Sequence, residues 1–134
     1  MPTPQTLAND HGFSPIGSFH LQRDGSVSRT ATVPVTRRRP LVYAIFADDQ
    51  CRYVGKTVQG YGRPLGYHKN DVMTAVRDGI RSELRNGRRV TVHAKTEGLL
   101  AKHEGLELNL IESIEQALIR RLDPAWNRQR LSLA

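Results

Sequence analysis

The longest unbroken apolar run, Leu41-Val42-Tyr43-Ala44-Ile45-Phe46-Ala47, has no polar side and reads as a strand buried on both faces. Asp48-Asp49-Gln50 supplies a turn, and Cys51-Arg52-Tyr53-Val54-Gly55 supplies the returning strand. Upstream, Ile16, Phe19, Leu21, Val27, Val33 and Val35 are spaced by polar residues, with Asp24-Gly25 between the halves, which predicts a hairpin over 16–35. Downstream the period lengthens. Val72, Met73, Val76, Ile80 and Leu84 follow a 3.6-residue repeat and predict a helix over 72–86, capped by Asp71 and ended by Gly87. Arg63 to His68 can make a helical turn, and Arg89 to Lys95 alternates as a short strand. A last helix is predicted from Glu104 to Leu122, stopped by Pro124. Residues 1–15, with Pro2, Pro4, Gly12 and Pro15, read as a mobile arm or loop. The expected class is α+β (mixed α/β): a small antiparallel sheet flanked by helices, with an arm and hairpin over 1–40 set before a domain over 41–134.

The last helix carries one residue that its pattern does not explain. With Ile111 set at zero and about 100° per residue, Leu118, Leu122 and Ile114 fall within roughly 60° of it, and Glu115 falls at roughly 40°. Glu112 lies near the edge of this apolar arc. A carboxylate inside the arc must be paired, bound to a metal or protonated.

Composition narrows the class. The chain has 134 residues, enough for one domain with a core. Lys plus Arg is 20 against 13 Asp plus Glu, a formal charge of +7, which points to a polyanionic partner and to nucleic acid first. No apolar stretch approaches the roughly 20 residues that span a bilayer, and the N-terminus has no basic start followed by an apolar run, so neither a membrane span nor a secretory signal is expected. The single cysteine, Cys51, excludes a disulfide framework and a Cys-built zinc site. Gly55-Lys56-Thr57 resembles the end of a P-loop, but position 50 is Gln where that loop needs Gly, so no nucleotide cofactor is expected.

Five elements then occur in order. Tyr43 ends the triplet Leu41-Val42-Tyr43, and Tyr53 opens Tyr53-Val54-Gly55 ten residues later. Arg63 follows Tyr53 by ten, with Tyr67 four further on. Glu115 precedes Asn127 by twelve, and Pro124 and Trp126 lie between them. This constellation, over about residues 41–128, resembles the GIY-YIG nuclease superfamily. The first triplet departs from the family pattern, with Leu41 in place of its glycine, but it keeps the tyrosine.

The resemblance implies a GIY-YIG fold over 41–134, with the N-terminal hairpin as an extension, and a metal-dependent DNA endonuclease that hydrolyses phosphodiester bonds. It implies that Glu115 holds one divalent cation, Mg²⁺ or another such as Mn²⁺, and that Arg63 contacts the phosphate. Tyr43 becomes the general base or orients the water, and Tyr53 and Tyr67 bind phosphate oxygens or complete the water site. Asn127 becomes a structural residue behind them. A phenol with a pKa near 10 needs a neighbouring cation to act as a base at neutral pH. Lys56 is the first candidate for that cation and His68 the second.

Arg77, Arg81 and Arg85 recur every four residues along one face of the predicted 72–86 helix, and Arg37-Arg38-Arg39 forms a second basic patch beside the Tyr43 strand. Together with His68 these are the candidate DNA contacts, suited to holding the backbone rather than reading bases. The expected partners are DNA and further copies of this chain, as a dimer or tetramer, in a bacterial or phage-infected cytoplasm. The competing reading is a non-catalytic DNA-binding protein on the same scaffold, against which the intact set of Tyr43, Tyr53, Arg63 and Glu115 argues.

Overall fold

The computed structural model describes residues 2–132, with side chains through Arg128. In chain order the elements are α1 (Pro4–His11), β1 (Ser14–Leu21), β2 (Val27–Ala31), β3 (Leu41–Ala47), β4 (Gln50–Thr57), a 3₁₀ turn (Pro64–Lys69), α2 (Thr74–Arg85), β5 (Val90–Lys95), β6 (Leu100–His103), β7 (Leu106–Asn109), α3 (Ile111–Leu122) and α4 (Ala125–Ser132). Five strands form one antiparallel sheet in the order β2-β1-β5-β3-β4, and β6 and β7 form a separate hairpin. The chain is therefore α+β, as expected.

All seven residues of β3 are buried. The alternation of a strand divides them between two cores. Leu41, Tyr43 and Ile45 pack with Tyr53 of β4, Val76 and Ile80 of α2, and Trp126 of α4. Val42, Ala44 and Phe46 pack on the other side with Leu7 of α1 and Ile111 and Leu118 of α3. The register opposes Ile45 to Tyr53 but Phe46 to Cys51, so Arg52 is an unpaired, bulged residue. The bulge turns its guanidinium to within 3.7 Å of Glu83 on α2.

β4 is an edge strand, and an edge exposes unpaired N–H and C=O groups. Asn127 covers it at one point. Its Oδ1 accepts the Val54 N–H at 2.8 Å, and its Nδ2 donates to the Val54 carbonyl at 2.9 Å, so one carboxamide replaces a neighbouring strand there.

Several sequence expectations are corrected. The expected arm over 1–15 is not loose over its described residues 2–15: Thr3 caps α1 with a reciprocal Thr6 bond, Pro4 opens it, Gly12 closes it in the left-handed region, and Leu7 is buried. The hairpin of residues 14–31 is hydrogen-bonded into the main sheet, because β1 pairs with β5. The last helix begins at Ile111, not Glu104. Leu106 and Leu108 obey a period of two, and Glu104-Gly105, both at positive φ, close the β6–β7 hairpin. Leu108, whose spacing also fits the apolar stripe of that helix, lies in β7 instead, and Leu110 stands at the helix cap. The middle helix starts at Thr74. Asp71 does not cap it: Asn70 Oδ1 accepts the N–H groups of Val72 and Met73 instead, and Val72 is 89% exposed.

A Cβ at Gly79 of α2 would sit 2.5 Å from the Trp126 indole, so α2 and α4 approach only because Gly79 has no side chain. An alanine there gains about 1 kcal/mol of helix propensity but overpacks the contact by about 1–3 kcal/mol. Gly79→Ala is expected to lower the urea midpoint, and adding Trp126→Phe is expected to restore part of it. A raised midpoint for the single variant would contradict this packing.

Candidate active site

The two tyrosine strands lie side by side, and the register sets Tyr43 opposite Gly55 and Ile45 opposite Tyr53, which puts all four on one face. A Cβ at Gly55 would lie 2.5 Å from the Tyr43 Cζ and hydroxyl. The glycine of Tyr53-Val54-Gly55 thus opens the space that the Tyr43 hydroxyl fills. Arg63 precedes the 3₁₀ turn, which Pro64 opens, and Tyr67 sits one turn later. The rings of Tyr43, Tyr53 and Tyr67 pack as a triangle, with centroids 5.7 to 6.3 Å apart. The hydroxyls of Tyr43 and Tyr67 share a hydrogen bond of 2.5 Å in the interior.

From the opposite face of the sheet, α3 brings Glu115. It is 5% exposed, which fulfils the expectation of a carboxylate inside the apolar arc. Lys56 stands one residue past Gly55 and reaches the same place. Its ammonium lies 3.7 Å from Glu115 and 3.4 Å from Glu112. Gln116 adds a 3.3 Å hydrogen bond to Glu115 Oε1. The cleft so formed, about 370 Å³, is lined by Tyr43, Tyr53, Tyr67, Lys56, Arg63 and Glu115, with Asn127 behind them. Met73 and Ile119 give it apolar walls, and Glu112 and Gln116 complete its rim. All seven residues predicted from the sequence as catalytic meet in this one cavity.

Two sequence expectations about Tyr43 change. Burial raises its pKa well above the usual tyrosine range, and the neighbouring Tyr67 and Tyr53 push it further; Arg63 is the cation that opposes them. Lys56 does not serve as that cation, because its charge is engaged by the two glutamates. His68 does not serve either. It is buried against Phe19, with ring centroids 5.2 Å apart, and lies outside the cleft. Burial also lowers its pKa, helped by Lys69, Arg29 and Arg81, so it stays neutral near pH 7 and offers DNA no charge.

The basic residues divide by partner. Arg77 pairs with Asp71 at 3.0 Å and Asp78 at 3.2 Å, and Arg39 pairs with Glu97 at 3.7 Å. Among the described residues, Arg37, Arg38, Arg81 and Arg85 make no ion pair. Glu112 was not singled out as a site residue from the sequence. Its signal was present, since a position three before Glu115 shares its helix face.

Among the described residues, no three His, Cys, Asp or Glu side chains gather as a metal cluster. The cleft does contain two carboxylates, Glu115 and Glu112, beside open space. Such hard oxygen donors suit a cation that keeps most of its waters.

The α+β fold, a five-stranded antiparallel sheet flanked by helices, has solved counterparts. It is similar to the solved structure of a point mutant of bacteriophage T4 EndoII, with a TM-score of 0.69 and 21% identity over 93% of this chain and 98% of that one. The restriction endonuclease HPY188I, in complex with product DNA, matches 90% of this chain and 82% of its own at 10% identity, with a TM-score of 0.49. No protein-family model and no curated protein sequence matches the chain. Among the described residues, no helix is long and apolar enough to cross a membrane.

The raised pKa of Tyr43 has a measurable sign. Below pH 10 the phenol is neutral in both folded and unfolded chains; above it the unfolded chain loses this proton first, so stability falls as pH rises through 10. In an absorbance titration, Tyr43→Phe is expected to remove amplitude only from the most alkaline part of the curve. Loss of amplitude at pH 10 or below would contradict a buried, neutral Tyr43.

Proposed function

We propose that the chain is a divalent-metal-dependent DNA endonuclease. One observation carries the reading: a buried carboxylate, two cations and a triangle of tyrosines converge on a single water-accessible cleft, with Gly55 clearing room for the Tyr43 hydroxyl. The EndoII fold supports the same reading.

Hydrolysis joins a water oxygen to phosphorus and releases a sugar oxygen, so the site must position the water, hold the phosphate and neutralise developing charge. Arg63 binds the phosphate as a planar, permanently charged fork. The Tyr43–Tyr67 hydroxyl pair orients the attacking water. Of the two roles that the family resemblance offers Tyr43, orientation suits a phenol kept neutral by burial better than proton abstraction. Tyr53 completes the ring triangle that fixes both hydroxyls, and Lys56 holds the Glu115 carboxylate in place. Glu115, with Glu112 beside it, would hold Mg²⁺ or Mn²⁺. When bound, that ion supplies Lewis-acid stabilisation of the phosphate and the leaving oxygen. With two cations and two carboxylates the cleft is formally neutral, and Glu115 and Glu112 holding a divalent ion would make it attractive to a phosphate.

Arg37, Arg38, Arg81 and Arg85, which make no ion pair among the described residues, hold the DNA backbone outside the cleft. One such cleft cuts one strand, so a double-strand break requires a second copy of the chain, which favours a homo-oligomer, or a second event.

The test uses supercoiled plasmid. Cutting is expected with Mg²⁺ and none with EDTA. Glu115→Gln and Arg63→Ala are each expected to lose at least about a thousandfold while keeping the wild-type circular dichroism, and Tyr43→Phe about a hundredfold. Cutting in EDTA, or wild-type rates for Glu115→Gln, would overturn the metal assignment. Absence of cutting with any divalent ion would overturn the endonuclease itself.

A further inference from the structure

Arg63 lines two concavities. Behind it, away from the tyrosines, lies a second one of about 430 Å³, lined by Arg38, Gln59, Gly62, Arg63, Gly66 and Asn70. Among the described residues no carboxylate lines it, and two guanidiniums do. Neither Arg38 nor Arg63 has an ion-pair partner among the described residues, whereas their neighbour Arg39 is engaged by Glu97 and the Thr96 carbonyl. Asn70 uses its Oδ1 on the Val72 and Met73 N–H groups, which leaves its Nδ2 as the group it can offer a ligand. The fixed chemistry of this surface is that of hydrogen-bond donors and positive charge, which selects an anion.

The two arginines come from segments locked together by backbone contact. Gly60 has φ +97, and a Cβ there would lie 2.1 Å from the Arg37 carbonyl oxygen. A Cβ at Gly62 would lie 3.1 Å from the Val35 carbonyl. The loop that carries Arg63 thus rests directly on the segment that carries Arg38, and main-chain packing fixes how the two backbones lie against each other. A Cβ at Gly66 would meet nothing within 4 Å, so the concavity is open there.

We propose that this concavity is the subsite for the phosphate next to the scissile one on the same strand, with Arg38 as its contact and Arg63 shared between the two phosphates. The proposal rests on the endonuclease reading and adds the path of the strand: out of the tyrosine cleft, past Arg63, onto Arg38. It separates Arg38 from the other basic residues, which contribute charge without a defined position relative to the cut.

The experiment uses the full chain and duplex oligonucleotides centred on a mapped cut, each with one neutral methylphosphonate at a different linkage flanking it. The wild type is expected to lose about tenfold in kcat/KM at one adjacent linkage. Arg38→Ala is expected to lose about tenfold on the unmodified duplex and nothing further at that linkage, because contact and charge are already absent. Arg23→Ala, which removes the same charge in the β1–β2 turn, is expected to change rates less than twofold and to keep the wild-type sensitivity at every linkage. Arg38→Ala with wild-type rates, or losses that multiply at every linkage, would overturn the subsite while the endonuclease stands. A wild type that cuts no DNA would overturn the endonuclease and the subsite with it.

Discussion

The paired hydrogen bonds between the Asn127 carboxamide and the backbone of Val54 are the contact around which the cleft is built. β4 ends the sheet, and both faces of that end are in use. α3 brings Glu115 across one face, and the 3₁₀ turn brings Arg63 and Tyr67 across the other. Such an arrangement needs the strand edge to stay in place, and an unpaired edge is the most easily frayed part of a sheet. Asn127 supplies the missing partner where the chain leaves α3, so the residue that secures the edge also limits where Glu115 can lie. Trp126, one residue earlier, ties the same segment to α2 through Gly79.

Gly55 does the complementary work from inside the sheet. Residues at successive positions of β4 point to opposite faces, which would keep Lys56 and Tyr43 on different sides. The missing side chain at Gly55 lets the Tyr43 hydroxyl approach the strand, and Lys56 reaches Glu115 from just beyond. The cleft is therefore wrapped around a strand edge rather than sunk into one face. This explains how a neutral, buried phenol and an ion pair can share one cavity: Tyr43 belongs to the core on one side of the sheet, and the partly exposed Lys56 meets Glu115 beyond the strand edge.

Much of this was legible in the sequence, and the exceptions have physical reasons. β3 was plain because seven apolar residues in a row fit only an element buried on both sides. Glu115 was plain because a helix converts spacing into direction. The β6–β7 hairpin was hidden, since Leu108 and Leu110 fit the helical stripe of the segment that follows and only the positive φ at Glu104 and Gly105 separates the two. α1 was obscured by its own prolines and glycine, which are the residues that start and end it. Among the candidate site residues, Lys56 sits beside Glu115 and Glu112 rather than Tyr43, and His68, a candidate DNA contact, is covered by Phe19. Contacts between distant segments set both, and a linear pattern carries no record of them. The pairing of Gly55 with Tyr43, by contrast, follows from strand register and could have been drawn from the hairpin alone.

The order of the strands also governs when the cleft can exist. β1 pairs locally with β2 but joins the rest of the sheet through β5, and Val54 finds Asn127 across a separation of 73 residues. Contacts this remote form late, after their loop-closure entropy has been overcome. While the chain is being synthesised from its N-terminus, the tyrosines and Arg63 emerge long before the glutamate helix and the asparagine that anchors it. A nascent chain therefore has half a cleft until the glutamate helix and Asn127 have been made.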